Sequence, residues 1–72
     1  MTKTERVIKL MEKMGCEEVP SKSGKYRTFK RNGEIGGFYF VGKSGALRTG
    51  FTVTGSFSIS GALPTMFKRH NI

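Results

Sequence analysis

Two runs of strand-forming residues flank the dipeptide Asn32-Gly33, and this pattern restricts the fold more than any other feature of the chain. The run KYRTFKR precedes the dipeptide, and the run EIGGFYFV follows it. Asn-Gly supplies the two positive φ angles of a type I′ turn, so the pattern predicts a β-hairpin with a two-residue turn. This turn would pair Arg27 with Phe38 and Tyr26 with Tyr39. One face of the hairpin would then carry three aromatic side chains, Phe29, Phe38 and Phe40.

The first fifteen residues have the pattern of an amphipathic helix. Thr2 and Glu5 have the spacing of a capping box, which marks a helix N-terminus. Four apolar residues then follow at helical spacing before Gly15, namely Val7, Leu10, Met11 and Met14. Because these positions share one face of a helix, we expect them to pack on the sheet of the same domain.

Three further segments have recognisable patterns. Cys16 to Val19 reads as a short strand that stops at Pro20, and residues 46–49 read as another. Residues 51–60 alternate apolar or glycine with Ser or Thr, which predicts one long half-buried strand with a bulge or kink at Gly55. Pro64 suits the first turn of a short terminal helix or turn.

These segments together predict an α+β fold in a single domain over residues 1–72. An N-terminal helix would pack on an antiparallel sheet of about four strands, and a short C-terminal helix or turn would close the chain. We expect the three aromatic residues of the hairpin face, Phe29, Phe38 and Phe40, to form core beneath the first helix. Tyr26 and Tyr39 would then face solvent.

Charge is distributed unevenly along the chain. The protein has 13 Lys and Arg against 5 acidic residues, giving a net charge of +8. Residues 1–18 contain equal numbers of basic and acidic side chains, whereas Glu34 is the only acid beyond them. The whole positive excess therefore belongs to residues 19–72. A domain of this charge attracts polyanions, of which nucleic acid is the most abundant in the cytosol.

The pattern accordingly predicts a non-enzymatic nucleic-acid-binding protein of low sequence specificity, for DNA or RNA. Lysines and arginines of the hairpin and of the glycine-rich loop would contact phosphates, and a tyrosine would stack on bases. The candidate binding residues are Lys22, Lys25, Tyr26, Arg27, Lys30, Arg31, Tyr39, Lys43 and Arg48. The same positive surface would also suit an acidic protein partner, and the edge of the 51–60 strand would suit strand addition or a weak homodimer.

Catalytic and cofactor chemistry has little support in the sequence. GFYFVGKS matches the phosphate-loop pattern in form, but its four central residues favour a strand and the chain contains no Asp for a Walker B site. The single histidine, His70, and the single cysteine, Cys16, cannot build a metal cluster or a disulfide by themselves. We predict no catalytic residues, no metal and no cofactor, and a partly buried, unreactive Cys16 thiol.

The chain also has no apolar run long enough for a membrane span, and its charged N-terminus is unlike a signal peptide. A cytoplasmic protein without membrane contact is expected.

Two short resemblances point towards RNA. Gly37 to Val41 resembles the strand motif of RNA-recognition and cold-shock domains, in which aromatics on a sheet face stack on bases. Residues 1–33, through IKLMEKMG and SKSGKYRTFKRNG, resemble the start of HicA-type small toxins, which cleave RNA and have a fold like that of double-stranded-RNA-binding domains. This second resemblance implies a helix-then-hairpin frame suited to RNA, with Gly24 at the turn glycine.

The catalytic histidines of the HicA family are replaced in this chain by Lys25 and Tyr26. The resemblance therefore carries over the frame without the cleavage chemistry, and a ribonuclease toxin is the third functional hypothesis. The size, basicity and glycine-rich strands are also similar to those of many small phage and prophage proteins.

Overall fold

A computed structural model describes residues 2–21, 24–31 and 37–72, and it has the α+β class expected from the sequence. The sheet contains five strands rather than about four. The elements in chain order are α1 (Lys3–Lys13), β1 (Glu17–Val19), β2 (Tyr26–Lys30), β3 (Phe38–Gly42), β4 (Leu47–Gly50), β5 (Phe57–Ser58), a short 3₁₀ helix (Ser60–Ala62) and α2 (Leu63–Arg69).

Both ends of α1 are capped by residues whose roles follow from their chemistry. The Thr2 hydroxyl accepts a hydrogen bond from the Glu5 backbone N–H at 3.1 Å, as the capping-box spacing predicts. At the other end Gly15 has a positive φ of 82°, and the Cys16 N–H donates to the Met11 carbonyl at 3.0 Å. This is a Schellman motif, which turns the chain directly from the helix into β1.

The sheet is an antiparallel meander in which each strand pairs with the next one along the chain. The pairing of β2 with β3 differs from the predicted register. Arg27 lies opposite Val41 rather than Phe38, which is a shift of three residues, and Tyr26 lies opposite Gly42 rather than Tyr39. The predicted register is therefore wrong. The predicted Asn32-Gly33 turn itself lies outside the described residues.

A shift by an odd number of residues reverses which side chains share a face. The helix-covered face, on which α1 and α2 pack, carries Phe29, Tyr39, Val41 and Leu47. The opposite face, called here the open face, carries Tyr26, Thr28, Phe38, Phe40 and Arg48. The expectation that Phe29, Phe38 and Phe40 lie together beneath α1, with both tyrosines on the solvent side, is therefore wrong.

The hydrophobic core explains why this register is adopted. Val7, Leu10 and Met11 of α1 are fully buried, as the helical spacing predicts. They pack with residues of the helix-covered face and of α2, which are Phe29, Val41, Leu47 and Leu63. The observed β2–β3 register places Phe29 on the same face as Val41, and the β3–β4 pairing places Leu47 opposite Val41, so all three side chains face the helix. Burying such side chains contributes about 1.5–3 kcal/mol each, which favours this pairing over one that exposes them.

The segment 51–60 does not form the predicted long strand. β4 ends at Gly50, the chain turns at Thr54 and Gly55, and only Phe57 and Ser58 form a strand, which pairs with β4. This reversal needs glycine at position 50, because a Cβ atom there would lie only 2.7 Å from the Gly55 carbonyl oxygen and would clash with it. The alternating pattern therefore marks a hairpin whose loop folds back, rather than a bulged strand.

The C-terminal segment forms α2, with Pro64 in its first turn as predicted. α2 packs beside α1, and the Arg6 guanidinium lies 4.5 Å from the centroid of the Phe67 ring. The predicted short strands next to Pro20 and at residues 46–49 are also confirmed, as β1 and β4.

The cap at the end of α1 gives the first testable prediction. Gly15→Ala should lower the free energy of unfolding by about 1–2 kcal/mol, because an L-residue is strained at this positive φ. Urea denaturation at neutral pH measures the change. The control is Gly61→Ala, where a Cβ atom would meet nothing within 4 Å. Equal stability of the Gly15→Ala variant and the wild-type protein would contradict this account of the cap.

Candidate nucleic-acid interface

Two loops meet at one end of the sheet and bring two lysines together. The loop before β2 supplies Lys25, and the β3–β4 turn supplies Lys43 and Ser44. Together with Tyr26 these residues line a surface groove of about 300 Å³, called here the loop-end groove, whose floor includes Gly42 and Ala46. Both lysines are exposed, so the groove presents positive charge beside an aromatic ring.

The β3–β4 turn is held in place by its own hydrogen bonds and by α1. The Gly42 N–H donates to the Ala46 carbonyl at 2.8 Å, and the Gly45 N–H donates to the Gly42 carbonyl at 3.0 Å. The Thr4 hydroxyl donates to the Lys43 carbonyl at 2.9 Å, which fixes the turn against the start of the helix. The Gly42 and Gly45 amides are therefore already used within the turn, and Lys43 is the one cation of residues 42–45.

The open face contains a second depression, an apolar trough of about 640 Å³. Its floor is formed by Thr28, Phe38 and Phe40, and its walls by residues 19–21 and 51–53. The rings of Phe38 and Phe40 lie 6.2 Å apart between centroids, with an angle of 38° between their planes. Phe51 in one wall is 66% exposed. Phe40 is only 2% exposed and Phe38 is partly exposed, so the aromatic surface that this sheet-face trough presents to solvent comes from Phe51 and Phe38.

Arg48 supports the wall that contains Phe51. Its Nε donates to the Ser56 hydroxyl at 2.8 Å and its Nη2 donates to the Ser56 carbonyl at 2.7 Å. The Ser56 hydroxyl in turn donates to the Val53 carbonyl at 2.6 Å. Both hydrogen bonds of Arg48 thus go to Ser56, and they hold the 51–56 loop over the open face.

Arg27 lies on the helix-covered side of β2, where it forms a two-pronged ion pair with Glu18 of β1. Its Nη2 lies 2.6 Å from Glu18 Oε1, and its Nε lies 2.7 Å from Oε2. The Arg27 hydrogen bond lowers the pKa of the Glu18 carboxyl, and Glu18 raises the pKa of Arg27. About half of each side chain is exposed, so the pair contributes little to stability, but it neutralises one of the predicted phosphate contacts.

Arg31 and Tyr39 also lie on the helix-covered face. The Arg31 guanidinium is 5.5 Å from the centroid of the Tyr39 ring, and its Nη1 lies 3.4 Å from the Thr49 hydroxyl. Its Nε is buried and has no hydrogen-bond partner among the described residues. Nearby, burial raises the pKa of the Cys16 thiol, and the Arg31 charge offsets part of this rise. Arg31 is therefore a half-buried cation stacked on an aromatic ring.

The structure thus brings together only part of the predicted site. Three of the nine predicted residues line the loop-end groove, namely Lys25, Tyr26 and Lys43. The others are separated from them or engaged with protein groups, except for Lys22, which lies outside the described residues. Arg27 lies on the helix-covered face and is paired with Glu18, but it lines an adjoining depression of about 280 Å³ together with the three groove residues. Arg31 and Tyr39 lie on the helix-covered face as well, and Lys30 and Arg48 lie elsewhere on the open face. The described cations are therefore divided between two faces instead of sharing one surface.

The sequence pattern does not predict the trough. It places Phe38 and Phe40 in the core and Phe51 in a strand, and of these three residues Phe40 is buried. The run Phe38 to Val41 does indicate an apolar surface on the second face, because its even-numbered and its odd-numbered residues are both apolar or aromatic. A strand with this pattern is apolar on both faces, although α1 can cover only one of them.

Neither the described helices nor the described titratable residues provide a membrane span or a metal site. No helix in the described ranges is long and apolar enough to cross a bilayer. Across residues 2–21, 24–31 and 37–72, no three His, Cys or acidic side chains come together as metal ligands.

Comparison of the chain with protein-family models, with curated proteins and with solved structures finds no match.

The Glu18–Arg27 pair gives a prediction on pH dependence. A double-mutant cycle of Glu18→Gln and Arg27→Gln should give a coupling free energy of about 0.2–1 kcal/mol at neutral pH. Because the pKa of Glu18 is lowered in the folded protein, this stabilisation is present above the ordinary Glu pKa of about 4.3. It is lost as the pH falls through the lower folded pKa. Urea denaturation of the four proteins at neutral and acidic pH measures it, and a coupling that survives full protonation of Glu18 would contradict the assignment.

Proposed function

We propose that the protein binds nucleic acid without catalysing a reaction, chiefly through the phosphate backbone at the loop-end groove. The observation that supports this most directly is the position of Lys25 and Lys43. They come from separate loops, 18 positions apart in the sequence, and line the same groove beside the ring of Tyr26. Two ammonium groups and an aromatic ring match the phosphate and the base of one nucleotide.

The overall charge supports the same function at longer range. The net charge of +8 raises the local concentration of a polyanion around the protein and accelerates encounter. Part of this charge is compensated, since Arg27 pairs with Glu18. The side chains of Lys25 and Lys43 are exposed to solvent. Binding is therefore expected to depend strongly on salt and to be centred on these lysines.

Low sequence specificity follows from the position of the helices. Both α1 and α2 pack on the helix-covered face, and α1 buries Val7, Leu10 and Met11 there. Reading base pairs in a major groove requires an element that projects into the groove, most often an exposed helix. The loop-end groove offers lysines, and lysines recognise phosphate as point charges without reading the base.

The alternative function, binding of an acidic protein partner, depends on a long free strand edge that the structure does not contain in residues 51–60. Strand addition along residues 51–60 needs a long free edge, whereas only Phe57 and Ser58 of this segment form a strand. The lysines of the loop-end groove would also attract carboxylates, but no described contact favours a protein over a nucleic acid.

The proposal predicts a salt dependence that changes with the groove lysines. If about five cations contact phosphates, the logarithm of the association constant should fall with the logarithm of salt concentration at a slope of about −3.5 to −4.5. The double substitution Lys25→Gln with Lys43→Gln should weaken binding and reduce the magnitude of this slope by about 1.4–1.8. Filter-binding titrations with a generic single strand and a generic duplex measure both values.

The matched control is Lys9→Gln with Lys68→Gln, which removes the same charge from exposed positions on α1 and α2. This variant should retain the wild-type slope, because a lysine that does not touch phosphate releases no counterions. A wild-type slope near zero, or the same loss of slope in both double variants, would refute the proposal.

A further inference from the structure

The loop-end groove and the sheet-face trough lie on the same face of the sheet, one beyond the other along β2 and β3, and have no lining residue in common. Tyr26 of the groove and Thr28 of the trough are alternate residues of β2, so their side chains point to the same side. Gly42 and Phe40 have the same relationship on β3, and the ring of Tyr26 lies over Gly42. A ligand that contacts the groove lysines can therefore extend along β2 into the trough.

The trough has surfaces suited to flat aromatic groups. Phe38 and Phe40 form a tilted pair on its floor, and Phe51 stands in its wall with 66% of its surface exposed. At this exposure the Phe51 side chain is accessible to a base that enters the trough. Stacking of bases on such rings is strong and tolerates any base, because every base has a π-face.

Lysines that lie beyond the trough lining, along the same face, indicate which groups the ligand would carry besides flat rings. Lys25 and Lys43 lie beyond one end of the trough, and Lys30 lies towards the other end, about 17 Å from Lys25 by the rise of a strand. Glu17 lies opposite Lys30 across the β1–β2 pair and offsets part of its charge. A ligand with phosphates along its length and flat groups between them matches this arrangement.

We propose that the sheet-face trough takes unpaired nucleobases, so that the preferred ligand is single-stranded nucleic acid lying along β2 and β3. This inference rests on the proposed function and specifies the class of nucleic acid. Phosphates are held at Lys25 and Lys43, and the bases beyond them enter the trough and stack on Phe51 and Phe38. A duplex lacks this option, because its bases are stacked on one another and paired.

A second copy of the chain is a poor occupant of the same trough. Two copies facing each other would bring together two surfaces that each carry Lys25, Lys30 and Lys43, and like charges across an interface oppose association. A purely apolar ligand would fill the trough but would make no use of the lysines.

The test separates bases from phosphates. Fluorescence anisotropy is measured with a labelled oligothymidylate of about 12 nucleotides, an abasic strand of the same length and a duplex. The wild-type protein should bind the oligothymidylate at least about 5-fold more tightly than either of the other probes. Oligouridylate in a parallel titration distinguishes RNA from DNA.

The decisive variant is Phe51→Ala, and Phe57→Ala is its matched control. Both phenylalanines are largely exposed, at 66% and 61%, but Phe57 lies outside the trough, on β5. Phe51→Ala should weaken oligothymidylate binding by about 5- to 150-fold and leave binding of the abasic strand unchanged. Phe57→Ala should change neither. Thermal unfolding checks that both variants fold.

The two proposals fail in different ways. Equal affinity for the base-bearing and abasic strands, with a steep salt dependence, would overturn the trough inference and leave phosphate binding intact. Equal effects of the two Phe variants would overturn it as well. A change in sedimentation coefficient on Phe51→Ala without nucleic acid would show that a second copy occupies the trough, which also overturns it. Absence of binding to every probe would refute the proposed function itself.

Discussion

The packing of α1 on the sheet is the interaction on which the rest of the structure depends. Val7, Leu10 and Met11 are fully buried against one face, and that face must offer Val41 and Leu47 to them. In a small chain there are few other apolar contacts to compensate for a poor fit. The helix therefore selects the strand register, and the register decides which residues remain for the open face.

The open face is apolar because it carries the β3 residues that α1 does not cover. β3 is apolar on both sides, so covering Tyr39 and Val41 leaves Phe38 and Phe40 uncovered by a helix. The 51–56 loop, held by Arg48, covers part of this surface and converts a flat face into a trough. Next to it, the β3–β4 turn is fixed by Thr4 at the start of α1. The same helix thus positions both depressions.

Features encoded by neighbouring residues could be predicted from the sequence, whereas those set by distant contacts could not. The caps of α1, the ends of β1 and the position of Pro64 in α2 follow from local hydrogen bonding and backbone geometry. The β2–β3 register depends on α1, more than ten residues away, so the Asn-Gly signal misplaced it by three residues. Lys25 and Lys43 were identified by charge. Their juxtaposition, and the diversion of Arg48 to Ser56, depend on how the loops fold.

Successive residues of β3 face opposite sides of the sheet, and this determines how the chain tolerates insertions and substitutions. Its odd-numbered residues support folding and its even-numbered residues shape the trough. An insertion of one residue in the middle of β3 would exchange the two sets downstream and damage both roles together, while an insertion of two would restore their alternation. Among the even-numbered residues, Phe38 is partly exposed and can be substituted with less disturbance to the hydrophobic interior, whereas Phe40 is buried. Evolutionary divergence in this small protein is therefore expected to accumulate unequally on neighbouring residues of the same strand.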